Sequence, residues 1–464
     1  MSESSPSNVR DRGEANSIRR VVAASFIGTT IEWYDFFLYG TAAALVFNKL
    51  FFPKAEPSTG TLLALATYGV GFFARPVGGI IFGHYGDRIG RKTMLVLSLV
   101  IMGVATFLIG VMPTYSSIGM SAAIILVVLR LAQGIGVGGE WGGAVLMSVE
   151  HAPKGRRGFF GSWPQMGVPA GLFLSTVIFA VVQGLTSEEQ FLSWGWRVPF
   201  LLSIVLVGVG LFIRLRLAES PAFQRVKDTE TQAPMPIRDV LRKYPREVLL
   251  AMGMRIAENG IFYILTVFSL VYGAEHLKVS KSTVLWAVAA AALIGIAAIP
   301  FYGNLSDRVG RRPLYLGGAV FSLLFAFPFF WLMNTKVTAL IWLAVILGVN
   351  VGHDMMYGPQ AAYFSELFGT RVRYSGASLG YQLASVLSGG LAPLIAAALL
   401  KAIGYGAVAI YMVAMAAITV VATWLASETY QTDIEAEDEA ERELAGQARA
   451  ASQPRSGQPA TGNR

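Results

Sequence analysis

The sequence predicts an all-α polytopic membrane protein, with twelve transmembrane helices in two pseudo-symmetric six-helix bundles. Three observations carry this. Apolar segments of about 20 residues, long enough to span hydrocarbon, recur along nearly the whole chain. These runs are continuous and do not alternate at every second residue, so a membrane β-barrel is excluded. A charged loop motif returns once, half a chain later. Of 464 residues, 54% are hydrophobic and 14% charged, against roughly 25% charged in soluble domains.

A polar tail, 1–20, comes first; it lacks the apolar core and small-residue cleavage site of a secretion signal. Apolar segments follow at about 21–47, 60–83, 93–113, 119–149, 158–184 and 196–217, giving an N-terminal bundle over 21–217. A polar linker, 218–246, separates it from a C-terminal bundle over 247–426. The segments there lie at about 247–274, 281–304, 312–334, 337–364, 373–401 and 404–426. The polar tail 427–464 contains "DIEAEDEAEREL" and reads as a disordered acidic stretch, a helical turn or two being the alternative. Basic residues concentrate in alternate loops: Arg88, Arg91, Lys92; Lys154, Arg156, Arg157; Arg214 to Arg246; Arg308, Arg311, Arg312; Arg371, Arg373. The other loops hold few, such as Lys49, Lys54, Lys336 and Lys401. The positive-inside rule therefore places both termini and the linker in the cytoplasm of a multi-pass protein in the inner cell membrane. The net charge of +8 is topology, and no nucleic acid partner is expected.

The chain repeats itself. "GHYGDRIGRK" (83–92) returns as "GNLSDRVGRR" (303–312), so that Gly83, Asp87, Arg88, Gly90 and Arg91 recur as Gly303, Asp307, Arg308, Gly310 and Arg311, with an offset of 303 − 83 = 220. Glu150 and Arg157 recur as Glu366 and Arg373, with an offset of 216. Two motifs at nearly one period imply a duplicated six-helix unit. Glycine permits a tight turn there. The aspartate can cap a neighbouring helix or pair with the Glu/Arg couple, forming a clasp that favours one conformation.

These motifs resemble the major facilitator superfamily. More narrowly, "EWYDFFLYG", "ARPVGGIIFGHYGDRIGRK", "RLAQGIGVGGEWGGA", "SWGWRVPF" and "RYSGASLGYQLASV" resemble its metabolite:proton symporter family, over about residues 20–426. That family includes shikimate, α-ketoglutarate, citrate and proline/betaine transporters. "NVGHDMM" looks most like the shikimate branch. The resemblance implies a proton-driven carrier with a central cavity, working by alternating access. Polar residues at mid-depth of Gly-rich helices in a repeated architecture agree with this.

Ionisable residues inside the membrane are functional candidates that need partners. Asp35 lies about 14 residues into helix 1 and Arg130 about 11 residues into helix 4 from the opposite side, so both reach mid-membrane at about 1.5 Å per residue. An Asp35–Arg130 ion pair is expected. It fits the resemblance, because sugar/proton symporters of the superfamily use a Tyr-Asp of helix 1 with an arginine of helix 4, matching "WYD" at 33–35 and "RLAQG" at 130–134. Asp35 is expected to carry the coupled proton and Arg130 to tune it; a static bridge is the alternative. Glu32, Arg75 and Glu140 lie nearer the cytoplasm and form a candidate gate, with Glu258 a further buried charge. The repeat period maps Asp35 onto Arg255, placing a base where the other half has an acid. Arg255 is the expected anchor for a substrate carboxylate, its planar fork matching that group; neutralisation by Glu258 is the alternative. Asn350, His353, Asp354 and Tyr357 share one helix face and, with Asn259, Gln165 and Gln382, are expected to line the cavity.

The absence of cysteine removes disulfides and thiolate chemistry. The four histidines fall at no metal-ligand spacing, and no metal or other cofactor is expected beyond the coupling proton. "GIGVGGEWGG" follows no strand, so its glycines read as helix-packing surface and not a nucleotide loop. No catalytic triad or Walker lysine is present, and an enzyme is not expected. A small carboxylate, shikimate or a di- or tricarboxylate, is the expected substrate. The alternatives are a proline/betaine-type osmolyte, a proton-antiporting exporter, or a sensor that binds without transporting. The fold needs no protein partner, and a monomer in the bilayer is expected.

Overall fold

The computed structural model describes residues 6–431, apart from 90, 139–140, 142–144, 146–147, 150–151, 154, 216–239, 241 and 369–372. For 6–25, 83–89, 91–92, 95, 214 and 373–375 the description is of the backbone alone. An apolar segment in lipid must close its own backbone hydrogen bonds, and a helix does so within one segment. No strand occurs among the described residues. The first half comprises α1 (Pro6–Leu45), α2 (Pro57–Ile89), α3 (Arg91–Val111), α4 (Met120–Gly138), α5 (Arg157–Leu185) and α6 (Arg197–Leu215). The second comprises α7 (Pro245–Leu277), α8 (Lys281–Val309), α9 (Arg311–Asn334), α10 (Thr338–Glu366), α11 (Gly376–Ala402) and α12 (Tyr405–Leu425). Among the described residues, α2, α4, α5 and α7 to α12 are long and apolar enough to cross a bilayer, and α6 is so together with Glu188–Gly195, from which it bends by 42°. Large apolar side chains such as Phe73, Ile80, Leu324, Trp331 and Trp424 face outward, as a lipid-facing surface requires.

Three boundaries differ from those expected. The backbone of α1 is already helical at Pro6, within the expected tail. The helix α7 opens at Pro245, inside the expected linker, where proline suits a first turn. The second bundle does not end at 426, because Tyr363 donates to the Ser427 carbonyl, Thr429 donates to Glu366, and Glu428 accepts from the backbone N–H groups of Arg311 and Arg312.

Close approach explains the glycines of α4. A Cβ on Gly134 would lie 2.1 Å from the Gly71 carbonyl oxygen, and one on Gly138 would lie 2.0 Å from that of Arg75. The α2–α4 contact is thus backbone against backbone, as a packing stripe predicts. In the second half, α7, α10 and α11 widen to π-helical turns at Ile264–Phe268, Gly348–His353 and Val386–Gly390. Such turns accompany functional sites in many helices. Here they lie beside the buried polar cluster described below.

The two halves are latched at both ends. At the basic-loop end, Gly310 takes φ 104°, which turns α8 into α9. Asp307 at the end of α8 accepts the Gly158 and Phe159 N–H groups of α5 at 2.8 and 2.9 Å. One half thus caps a helix of the other. Arg311 holds Asp307 at 2.7 Å and Glu366 at 3.2 Å, all three buried. The cap is one of the two expected forms; Asp307 pairs with Arg311 and, of the Glu366/Arg373 couple, reaches Glu366 only through Arg311. Arg157 lies within electrostatic reach of Glu366, and Arg308 is exposed. The side chains of Asp87, Arg88, Arg91 and Arg373, with Gly83, and all of Gly90 and Glu150, lie outside the described residues.

At the opposite end, Lys401 donates to Glu56 at 3.0 Å and to Thr59 at 3.1 Å, and Thr61 donates to Glu275 at 2.7 Å. The Lys401–Glu56 pair is about half exposed, and such pairs contribute roughly 0–1 kcal/mol. The Asp307 latch is buried, and hydrogen bonds to a charged group contribute about 1.5–3 kcal/mol each. The basic-loop latch is therefore the stronger. The Ser58 hydroxyl, then Lys401, lower the Glu56 pKa to about 2. A lowered carboxylate pKa means the contact is complete above the ordinary carboxylate range and is lost only as pH falls through about 2. Acidification from pH 8 to 5 leaves this latch closed.

The chain has no cysteine, so a single introduced thiol reports access without background. Asp307→Ala is expected to raise maleimide labelling of a Thr29→Cys reporter from the basic-loop side by about tenfold or more, the equivalent of one or two charged hydrogen bonds. Lys401→Gln is expected to change access from the opposite side by less than about fivefold.

Candidate functional site

The acids of "IEWYDFFLYG" lie one turn apart on α1 and meet different surroundings. Asp35 is fully buried inside the first half. Neither carboxylate oxygen has a hydrogen-bond partner, and no basic side chain among the described residues lies within 4 Å. The Thr106 hydroxyl of α3 is its polar neighbour. The expected ion pair with Arg130 is not made. Aromatic rings take the Arg130 guanidinium instead, with Phe36, Tyr39 and Tyr68 centroids at 4.2, 4.4 and 4.7 Å. Arg130 donates to Gln133 at 3.0 Å, and Gln133 donates to Thr106 at 2.7 Å. Gln133 and Thr106 thus lead from Arg130 toward Asp35 without a hydrogen bond to its carboxylate. Sequence reading missed this pair of intermediates. The signal for Gln133 was its place one turn beyond Arg130.

The second half contains a denser cluster. Arg255 of α7 donates to Glu258 at 2.7 Å, Gln360 at 2.8 Å and Ser385 at 3.1 Å, and its guanidinium lies 3.3 Å from the Tyr381 ring centroid. Glu258 also accepts from Gln360 at 2.9 Å and meets His353 Nε2 at 3.1 Å. His353 Nδ1 meets Asp354 at 2.8 Å, and Asn350 donates to the other Asp354 oxygen at 2.7 Å. Asn259 donates to Ser388 at 3.0 Å. Tyr315 of α9, not anticipated, accepts from Gln360 and donates to the Met254 carbonyl.

Arg255 is therefore spent on its own half, and its expected role as a substrate anchor is corrected. Neutralisation by Glu258, the alternative, is what occurs, and Gln360, Ser385 and Tyr381 take the remaining valence. Asn259, Asn350, His353 and Asp354 likewise serve the cluster and do not line the cavity.

A small cavity does lie between the halves. Its volume is about 30 Å³, room for about two waters. Thr29, Glu32 and Trp33 of α1, Arg75 of α2, Pro164 of α5, Tyr357 of α10, and Tyr381 and Gln382 of α11 line it, with Trp141. Trp141 stacks on Tyr381 at 3.8 Å and donates to Gln165, which in turn donates to the Tyr357 carbonyl across the halves. Gln382 donates to the Gly138 carbonyl at 3.0 Å. These contacts close the cavity on the basic-loop side.

Glu32 and Arg75, expected as a gate, thus share the cavity wall; Glu140 lies outside the described residues. Arg75 is 1% exposed, and its Nε and Nη2 have no hydrogen-bond partner. Its guanidinium packs against Phe36 and Phe72, with centroids at 4.2 and 4.3 Å. Arg75 thus has the free donors that Arg255 lacks. No His/Asp/Glu group that would hold a metal ion occurs among the described residues.

Breaking a buried pair from one side costs about 3–5 kcal/mol. Arg255→Ala is expected to lower the melting temperature of the purified protein, and Glu258→Gln introduced with it to restore part of the loss. Arg75→Gln removes a cation with two nitrogens unmet, so its melting temperature is expected to fall less than that of Arg255→Ala. Thermal unfolding in detergent reads all three.

The Major Facilitator Superfamily profile matches residues 25–386 and 274–457. The chain is 45% identical over 402 residues to the shikimate transporter of Escherichia coli K12, covering 85% of this chain and 91% of that protein. It is 42% identical over 419 residues to the inner membrane metabolite transport protein YhjE of the same organism, covering 89% and 95%. The proline/betaine transporter of E. coli K12 is 37% identical over 393 residues, covering 83% and 78%. Among solved structures, the proton:xylose symporter XylE bound to 6-bromo-6-deoxy-D-glucose superposes with a TM-score of 0.73 at 16% identity, covering 92% of this chain and 99% of that one.

Proposed function

This chain belongs to the major facilitator superfamily, and from that premise we propose that it is a proton-coupled symporter taking up a small carboxylate across the inner cell membrane by alternating access. It is a multi-pass membrane transporter and not an enzyme. The observation that carries the substrate class is Arg75. Its guanidinium is buried in the wall of the cavity between the halves, with two nitrogens unmet. A carboxylate supplies two acceptors in the geometry that a guanidinium matches. The similarity to transporters named for shikimate and for metabolites supports this reading.

Asp35 is the proton carrier in this reading, with Arg130 tuning it through Gln133 and Thr106. A buried carboxylate that accepts no hydrogen bond and has no cation within 4 Å among the described residues leaves a proton as the partner that removes its charge. The coupling ion is the proton, no other cofactor takes part, and the protein acts as a monomer with both termini in the cytoplasm. The basic-loop end is then the cytoplasmic end. With latches closed at both ends and a cavity of about 30 Å³, the state described is occluded and too tight for a carboxylic acid. Entry of substrate must separate Trp141 from Tyr381.

A zwitterionic osmolyte is the second reading. Trp33, Trp141 and Tyr381 around the cavity, with Glu32 beside them, suit a quaternary ammonium. Uptake into proteoliposomes decides between the two. Labelled shikimate and dicarboxylates compete for uptake under the first reading, and proline and betaine under the second. Arg75→Gln is expected to raise KM for a carboxylate at least about tenfold, the loss of one charge-assisted pair. Asp35→Asn is expected to abolish uphill uptake driven by a pH gradient and to spare substrate exchange. Undiminished accumulation by that variant overturns Asp35 as the proton carrier.

A further inference from the structure

We propose that His353, clamped between Glu258 and Asp354, is a second proton-binding site, separate from Asp35 and loaded in the occluded state. This deepens the symport reading and rests on it for the transport role of the proton, but not for the proton's presence.

The argument is one of hydrogen-bond valence. Nε2 of His353 lies 3.1 Å from a Glu258 oxygen, and Nδ1 lies 2.8 Å from an Asp354 oxygen. A neutral imidazole has one N–H and one lone pair, so one of these contacts would set a lone pair against a carboxylate oxygen. Only the imidazolium donates to both. The other carboxylate oxygens already have donors. Arg255 and Gln360 reach Glu258, and Asn350 reaches Asp354. These donors hold both carboxylates as anions, which places the shared proton on the ring between them.

Charge balance agrees. Arg255, Glu258, Asp354 and His353 are each at most 4% exposed. With an imidazolium their charges cancel, and with a neutral ring the cluster keeps one uncompensated negative charge inside the membrane, which is costly. Among the described residues, the other titratable groups facing the cluster are tyrosines: Tyr263 of α7, Tyr302 of α8, Tyr315 of α9, Tyr357 of α10 and Tyr381 of α11. None supplies a second cation.

The cluster is placed to sense the movement of the halves. A Cβ on Gly295 of α8 would lie 3.1 Å from Asp354 Oδ2 and 3.2 Å from Pro169 of α5. Asp354 is thus one glycine away from the opposite half. His353 sits at the end of the π-helical turn of α10, and its ring stacks on Tyr357, which lines the cavity. Opening the interface beside Gly295 lets water reach Asp354. Loss of that contact leaves the ring with one carboxylate and frees the second proton.

The chain has four histidines, so replacing three isolates the site without touching it. Full-length protein carrying His84→Gln, His151→Gln and His276→Gln, labelled with 15N-histidine in lipid nanodiscs, is expected to show both ring nitrogens protonated at pH 7.5. Asp354→Asn in this background is expected to return the ring to one N–H. A neutral ring at pH 7.5 without that substitution overturns the site. The transport role is read from reversal potentials in proteoliposomes. His353→Gln, or His353→Asn if the first does not fold, is expected to lower the number of protons moved per substrate by one. An unchanged ratio overturns His353 as a coupling site. A wild-type protein that moves no protons with its substrate overturns both the symport reading and the coupling role, while the nitrogen spectrum still decides whether the proton is bound.

Discussion

A charge inside a bilayer must be answered by a group within reach, and the organisation of this protein follows from how each one is answered. Arg255 is answered in full, by a carboxylate, an amide, a hydroxyl and an aromatic face. Arg130 is answered by aromatic rings and an amide. Asp35 and Arg75 are not fully answered by the protein, and Arg130 keeps Nη2 unmet. These three charged groups lie in the first half, while the denser hydrogen-bonded cluster fills the second. One half therefore keeps charged groups with unmet hydrogen-bonding capacity, and the other holds a network that must be broken to change.

The repeat gives both halves the same scaffold and different chemistry. Asp307 caps α5 across the interface, so the end of α8 and the start of α5 move as one piece while the latch holds. The buried character of this latch, set against the exposed Lys401–Glu56 pair, biases the molecule toward opening away from the basic loops. Tail residues Glu428 and Thr429 reinforce the same latch through Arg311 and Glu366. Glu428 and Thr429 thus belong to this latch.

Much of the fold was legible. Twelve segments, their pairing into halves and the Asp307 clasp follow from apolar length and a repeat of 220 residues. Helix ends were less so, because amphipathic extensions such as the start of α1 lack an apolar signature. At the site, the burial of Glu32, Asp35, Arg75, Arg130, Arg255 and Glu258 was correctly read, since each sits within an apolar run. Their partners were not. Depth along a helix gave Asp35 and Arg130 the same level, but depth carries no rotation, and the Arg130 guanidinium turns to Gln133 and aromatic rings instead. For the same reason the saturation of Arg255, the expected anchor, and the unmet nitrogens of Arg75 were not foreseen. Whether a buried guanidinium is saturated depends on residues from three other helices, and no spacing within one segment encodes that.

The π-helical turns of α7, α10 and α11 have a mechanical consequence. Each stores one residue more than an α-helical turn needs, like a dropped stitch that can travel along a knitted row. If the surplus residue of Gly348–His353 passes one turn along α10, the side chains it crosses rotate by about 100° with almost no change in helix length. His353 would leave Glu258 by turning and not by sliding. The second half therefore carries screw joints where a rigid bundle would need hinges, and its helices can regroup their polar faces while their ends stay fixed in the lipid.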